Sequence, residues 1–288
     1  MGPPARNAAL RPGRAALVAL LATILVGAAP ATAAASGPAA RPMSVAPTAE
    51  ALPAVEALPT VEAAKPYRLD LARGGDFVAQ RNFVQCVGAS MQMMLNIADA
   101  KDDRSSSTQL RLQNLARSLS GPVREGFQRK GASVRGWSAG LNTLDAGPYR
   151  LVGATTLDEA LRFAAVSIRT TGKPVGLLVW AGRHAWVMSG FQATADPART
   201  NAFEVTRAIV LDPLYPHGSK QWGKSPKPRE AITPAALGKQ FVPRRKGTWA
   251  GAVVGTDGAA TMSALAGKYV LVLPYIPIGI ARTRHVAS

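Results

Sequence analysis

The chain has 288 residues, with 34 Lys and Arg against 17 Asp and Glu, a formal charge of +17, and one cysteine. A single cysteine excludes any intrachain disulfide, and the length is enough for one domain with a substantial core. The excess of positive charge points to attraction by anionic surfaces.

Arg6, Arg11 and Arg14 precede an uncharged apolar stretch from Ala15 to Ala29, and small residues follow from Pro30 to Ser36. That order predicts a secretory signal peptide over residues 1–35, cleaved after Ala33 or, as the nearest alternative, Ala35. An uncleaved anchor is the competing reading, but the strongly apolar part falls short of the ~20 residues a span requires. No cysteine precedes Cys86, so a lipid-modified cysteine after the signal is excluded. The expected product is secreted or extracellular, without a stable membrane span after cleavage, and held at a cell surface, if at all, by charge. The three arginines of the signal leave +14 for the remainder.

Residues 36–65 are rich in Pro and Ala and carry a near-repeat, Ala51-Leu-Pro-Ala-Val-Glu56 followed by Ala57-Leu-Pro-Thr-Val-Glu62. Proline at that density stops helix and strand from propagating, which predicts a semi-rigid linker or a short propeptide. The folded domain is expected over 66–276, with a tail at 277–288.

Within the domain, apolar residues recur at Val87, Met91, Met94, Leu95 and Ala98, the stripe of a helix that starts at or beside Cys86. Its methionines read as core packing. Further helices are predicted over Ser107 to Leu119, Ser133 to Leu144 and Thr156 to Thr170. The last is announced by a capping box, Thr156 with Glu159. Strand-length runs rich in Val, Leu and Ile follow at Pro174 to Trp180, Ala185 to Phe191, Val205 to Leu211 and Tyr269 to Leu273. Helices first and strands second predict an α+β domain, its N-terminal helical part packed on a mostly antiparallel sheet.

A basic region runs from Lys220 to Lys246 and is punctuated by Pro226, Pro228, Pro234 and Pro243. It reads as a loop that either meets an anionic cell-surface polymer or simply keeps the protein soluble. Its aromatics, Trp222, Phe241 and Trp249, are too sparse for a base-stacking platform, so no nucleic acid is expected as partner. No glycine-rich phosphate loop follows a strand and no His, Cys and Asp cluster at metal-ligand spacing, so neither cofactor nor metal is expected.

Chemistry concentrates on Cys86. A thiol becomes a useful nucleophile at a helix N-terminus and beside an imidazole. Of the three histidines, His217 lies in a loop and His285 in the tail, whereas His184 stands at the mouth of a predicted strand and is the better-held base. The next strand ends in Asp212-Pro213, and antiparallel pairing would bring Asp212 beside His184 as the group that orients the imidazole. Gln80, six residues before Cys86, is the candidate oxyanion donor, with Gln85 as local competitor. The plainer alternatives are a buried cysteine acting as a small hydrophobe, an ordinary Asp-Pro turn, and a covalent dimer through Cys86.

Gln80 and Cys86 at a helix head, then Ala89-Ser90, Gly182-Arg-His184-Ala-Trp-Val-Met-Ser-Gly190 and Val210-Leu-Asp212-Pro213, resemble the papain-like cysteine peptidases. Within them the resemblance is to the bacterial branch related to peptidases that process bacteriocin leader peptides. It covers Phe77 to Pro213 plus a terminal strand at Lys268 to Pro274. That branch commonly places Gly-Pro directly after the cysteine, where this chain has Val87-Gly88. The resemblance implies a papain-like fold and a peptide or protein substrate, with Cys86 as nucleophile, His184 as base and acid, Asp212 as orienter and Gln80 as oxyanion donor. Amidase or acyl-transferase action on cell-wall peptides uses the same machinery, and a non-catalytic binding module for anionic surfaces is the alternative from another class.

Overall fold

The computed structural model describes residues 65–122, 128, 130–245 and 264–277. By contacts the chain divides into residues 1–59 and 60–288, and every described residue lies in the second unit. The signal segment, nearly all of the linker, Lys246, His285 and most of the tail lie outside the described residues.

The elements in chain order are β1 (Tyr67–Asp70), α1 (Cys86–Asp99), α2 (Ser106–Ser118), α3 (Val134–Thr143), β2 (Tyr149–Ala154), α4 (Leu157–Thr171), β3 (Val175–Val179), β4 (His184–Ala193) and β5 (Val205–Leu211). They continue with β6 (Gly218–Ser219), β7 (Gly223–Lys224), β8 (Glu230–Ile232), α5 (Pro234–Gly238) and β9 (Tyr269–Pro274). The main sheet runs β2-β9-β3-β4-β5-β8, with β1 pairing on the far half of β4, and every described pairing is antiparallel. The domain is therefore α+β with an open antiparallel sheet.

The helix and strand expectations are met to within a few residues, and α1 begins at Cys86 itself. Two expectations change. β1 and β2 are strands outside the predicted order, β2 standing between α3 and α4. β2 was hidden because Arg150 and the short Gly153-Ala154 end break its apolar run. The capping box also reaches one residue further than expected. Thr156 Oγ1 accepts from the Glu159 N–H, but the Glu159 carboxylate accepts from Thr155 rather than Thr156.

Both faces of the sheet are covered. One core joins Leu161, Ala164 and Ile168 of α4 to Leu177, Val179, Trp186, Met188 and Val210, together with Leu237 and Phe241. The other joins Met91, Met94 and Ile97 of α1, Leu112 of α2 and Trp137 and Leu141 of α3 to Leu178, Val187, Leu211 and Val272. Burial from both sides is why the central strands read as continuous apolar runs, β3 being buried at all five positions. The methionines expected as packing are packing: Met91, Met93 and Met94 are essentially inaccessible.

α1 and α2 approach closely at Gly88. A Cβ there would lie 2.7 Å from the Gln109 carbonyl oxygen and 2.8 Å from Gln113 Cβ, so a larger residue would push the two helices apart. That close approach brings the polar side chains of α2 onto the start of α1.

The basic region is not the loop expected. It folds into the β6–β7 hairpin, the edge strand β8 and α5, with Leu237 and Phe241 buried in the core. Lys220, Lys224, Lys227, Lys239 and Arg245 remain exposed, Arg229 pairs with Asp70 at 2.9 Å, and Arg244 is buried. Proline density does not forbid this order: Pro234 sits at the first turn of α5, where its missing N–H costs nothing.

Candidate active site

Cys86 is the first residue of α1 and is only partly buried. The first four N–H groups of a helix have no partner within it. Here the N-cap residue, Gln85, makes no side-chain cap, and the Gly88 N–H is taken instead by Gln113 Oε1 at 2.9 Å. The Ala89 N–H reaches the Gln85 carbonyl. The N–H groups of Cys86 and Val87 are left at the helix mouth, where the macrodipole favours negative charge.

Two buried glutamines of α2 hold this region, and the sequence reading did not identify them. Gln113 donates to the Val84 carbonyl at 2.9 Å while accepting from Gly88, so it brackets Cys86. Gln109, one turn earlier, accepts from the Arg81 N–H at 2.8 Å and donates to the Ala79 carbonyl at 3.0 Å, so it brackets Gln80. Each amide mimics a strand partner for an irregular segment that has none of its own. The available signal was the i, i+4 spacing of two glutamines on a helix face that otherwise packs inward. Replacing Gln113 by alanine strands the Gly88 N–H and the Val84 carbonyl. The expected loss is about 1–3 kcal/mol of stability, with slower alkylation of Cys86, read from urea unfolding and iodoacetamide kinetics.

The β4–β5 pair delivers the other two groups. Val187 stands opposite Leu211, so the start of one strand lies beside the end of its neighbour. His184 Nε2 is 2.7 Å from Asp212 Oδ1, with the residues 4% and 0% exposed. Asp212 Oδ1 also accepts from the Leu214 N–H at 2.8 Å, which fixes the carboxylate. With Nε2 engaged by Asp212, Nδ1 is the nitrogen left for the thiol.

Burial alone would lower the basicity of His184. The hydrogen bond to Asp212, the neighbouring Cys86 thiol and the charges of both outweigh it and push the imidazole up to about 9. Cys86, His184 and Asp212 thus form one chain of interactions. Ser90, one turn along α1, ties that helix to the histidine strand by donating to the Ala185 carbonyl at 3.2 Å.

Trp180 was not foreseen either. Its ring stacks on His184 with centroids 4.2 Å apart and an interplanar angle of 30°, and its Nε1 donates to Gln240 Oε1 at 2.9 Å. The connection from β3 to β4 runs through three residues with positive φ, Trp180 at 58°, Ala181 at 55° and Gly182 at 98°. An indole-bearing residue in the left-handed region is uncommon and costs about 1–2 kcal/mol. The hairpin holds it there with the indole laid over the imidazole, shielding the Asp212–His184 pair from water.

Gln80 is placed beside Asp212, its backbone N–H donating to the Pro213 carbonyl at 2.8 Å. Its side-chain amide donates to the Asn82 carbonyl at 2.9 Å, which leaves a second amide hydrogen. The Gln85 Oε1 and Gln80 Oε1 atoms are both buried without a hydrogen-bond partner. His217 stands in the exposed turn before β6, apart from this chain of interactions.

A cavity of about 400 Å³ opens at the thiol, lined by Phe83, Val84, Cys86, Val134, Leu178, Arg183 and Arg244 among others. Another of about 620 Å³, against α4 and β9, is lined by Phe163, Val166 and Phe203 and has neither cysteine nor histidine in its wall. Among the described residues, no three or more His, Cys, Asp or Glu side chains are grouped so as to hold a metal ion. No described helix is long and apolar enough to cross a membrane. No family model, curated protein or solved structure matches this chain.

Proposed function

We propose that this protein is a thiol hydrolase of papain-like type, a cysteine peptidase that cleaves peptide bonds through an acyl-enzyme on Cys86. The observation that carries the reading is a thiol at a helix N-terminus coupled to a buried imidazole, which a buried carboxylate holds at 2.7 Å. A structural cysteine needs neither partner.

In the proposed reaction the Cys86 proton passes to His184 Nδ1, and the sulfur attacks the carbonyl carbon of the scissile bond. The carbonyl oxygen becomes an oxyanion. In this reading the N–H groups at the start of α1 stabilise it, joined by the second amide hydrogen of Gln80. The tetrahedral adduct collapses to a thioester as the C–N bond breaks, and the departing amine takes the proton from His184. Water then attacks the thioester carbon, giving its proton to His184. Collapse releases the carboxylic acid, and the thiol recovers the proton. Asp212 keeps Nε2 protonated throughout and compensates the imidazolium. An amine in place of water in the second half would make the same site an acyl transferase, which is how wall peptides would be remodelled rather than cut.

Export through the N-terminal segment, and attraction to anionic wall polymer through the exposed lysines of the β6–α5 region, belong to the same proposal. The signal is the order of Arg6, Arg11 and Arg14 before an apolar stretch, and the attraction rests on the charge of +17.

Iodoacetamide labelling at pH 7 tests the core of the reading. An isolated thiol with its midpoint near 8.5 is only a few per cent thiolate there. Wild-type Cys86 is expected to react about tenfold faster than His184→Ala, allowing for the lower nucleophilicity of a stabilised thiolate. Equal, slow labelling of the two proteins by mass spectrometry would overturn it.

A further inference from the structure

The cavity at Cys86 has a chemical character that the catalytic groups do not explain. Three cations line it: Lys130, Arg183 and Arg244. No described residue in its wall is acidic. The rest of the wall is largely apolar, with Phe83 at 85% exposure beside Val84, Val134 and Leu178.

Arg244 is the most informative of these. It is only 3% exposed, and burial holds its guanidinium below the ordinary arginine range. Arginine suits such a place better than lysine, because a guanidinium is more weakly hydrated than an ammonium and presents planar, paired donors. The backbone fixes it. The Arg244 N–H donates to the Lys268 carbonyl at 2.8 Å, and its carbonyl accepts from Gly267 at 2.8 Å. Its aliphatic stem lies under Gly182, where a Cβ would come within 3.1 Å of Arg244 Cγ. The same residue therefore packs beneath the Trp180–Gly182 turn that leads into His184 and enters the wall of the cavity that Cys86 opens into. Arg183, next to His184, adds a second guanidinium at the exposed rim, and the start of α1 adds the positive end of its dipole.

We propose that this cavity is a carboxylate subsite: Arg244, Arg183 and Lys130 hold a negatively charged group of the substrate beside the scissile bond, and the Phe83–Val84 wall holds an adjoining apolar side chain. The proposal rests on Cys86 being the nucleophile. Planar guanidinium groups match a carboxylate through paired N–H donors, and a partly dry cavity strengthens that attraction. An acidic side chain and a chain-terminal carboxylate present the same chemistry. The volume of about 400 Å³ accommodates a short stretch of peptide on one side of the bond.

Two alkylating reagents of similar size test this without a known substrate. Iodoacetate carries a carboxylate and iodoacetamide does not; in both, the sulfur–carbon bond forms as iodide leaves. The ratio of their rates at Cys86, divided by the ratio for free cysteine in the same buffer, is expected to be at least about tenfold in favour of iodoacetate. Arg183→Gln and Lys130→Gln should each lower it, and Arg244→Met should lower it most. Arg183 and Lys130 are exposed, so the proposal stays testable if the Arg244 variant does not fold. Lys101→Gln, at the opposite end of α1, controls for net charge and should leave the ratio as it is.

A fast iodoacetamide reaction with no iodoacetate preference overturns the subsite alone. So does a ratio that falls as far in Lys101→Gln as in Arg183→Gln. Iodoacetamide reacting only at the free-cysteine rate overturns the nucleophile, and the subsite with it. Protection of Cys86 by matched peptides identifies the source of the charge. Glu against Gln beside the scissile bond reports an acidic side chain, and a free against an amidated C-terminus reports a terminal carboxylate. Discrimination in either pair supports the subsite, and discrimination in neither overturns it.

Discussion

Replacing Asp212 by alanine is expected to slow Cys86-dependent peptide hydrolysis by about 10²–10⁴-fold, the range that general acid–base catalysis supplies, and to cost about 3 kcal/mol of stability. The carboxylate is fully buried and its Oδ1 serves both His184 Nε2 and the Leu214 N–H, so its loss strands two donors and a cation at once. The stability cost falls at the low end of what breaking a buried ion pair costs, because the imidazole can shed its proton and because Asp212 Oδ2 is itself buried without a hydrogen-bond partner. Asp212→Asn separates geometry from charge. Its amide oxygen can still accept from Nε2 and from Leu214, so it should fold better than the alanine variant while losing the electrostatic support of the imidazolium. NMR titration of the three histidines reads this directly. The His184 midpoint, about 9 in the wild type, should drop in both variants, and below the ordinary 6.5 in Asp212→Ala, where burial is opposed only by Cys86. An unmoved midpoint would remove Asp212 from the site's electrostatics.

The second large effect is alkaline. His184 binds its proton more tightly in the folded chain, about 9 against 6.5 for the free imidazole. A group raised on folding contributes stability that is fully present below the unfolded value and is lost as pH rises through the folded one. That contribution is therefore complete below pH 6.5, declines between 6.5 and 9, and is absent above. The difference amounts to about 3 kcal/mol at most. Other groups also titrate toward pH 10, so the measurement is the urea-unfolding free energy of wild type minus that of His184→Gln at pH 6, 8 and 10. The difference should shrink by most of that amount across the series. A pH-independent difference would mean that folding leaves the His184 midpoint at its unfolded value, and a difference that grows with pH would mean that burial holds the imidazole neutral; either outcome removes the thiolate–imidazolium pair.

Much of the site was legible because local patterns report local structure. The stripe from Val87 to Ala98 set a helix on Cys86. The apolar runs beside His184 and Asp212 set two strands whose antiparallel pairing brings strand start against strand end, and the observed register of Val187 with Leu211 does so. The capping box at Thr156 was equally local, and it is there with its backbone donor to Glu159 shifted by one residue, to Thr155. β1 and β2 escaped because each is short, half exposed and stabilised by its partner rather than by its own pattern.

The supports of the site were not legible, and the reason is physical. Gln109 and Gln113 look like ordinary surface residues of a polar helix until α1 comes close enough at Gly88 for their amides to reach Ala79, Arg81, Val84 and Gly88. Trp180 has the composition of a strand end, and only the left-handed turn lays its ring on His184. Arg244 read as one cation in a soluble loop, whereas packing beneath Gly182 buries it in the wall of the Cys86 cavity.

From its sequence alone the chain determines which helix or strand holds Cys86, His184 and Asp212, since periodicity and end signals act over a few residues. Tertiary structure alone decides that a buried imidazole and carboxylate meet beside the thiol, that two glutamines clamp the Cys86 segment, and that three of the described residues lining the adjoining cavity are cations. Those features join residues up to 158 positions apart, from Cys86 to Arg244. No pattern within a segment encodes the pairing of distant segments, and it is settled by the packing of two cores on one sheet.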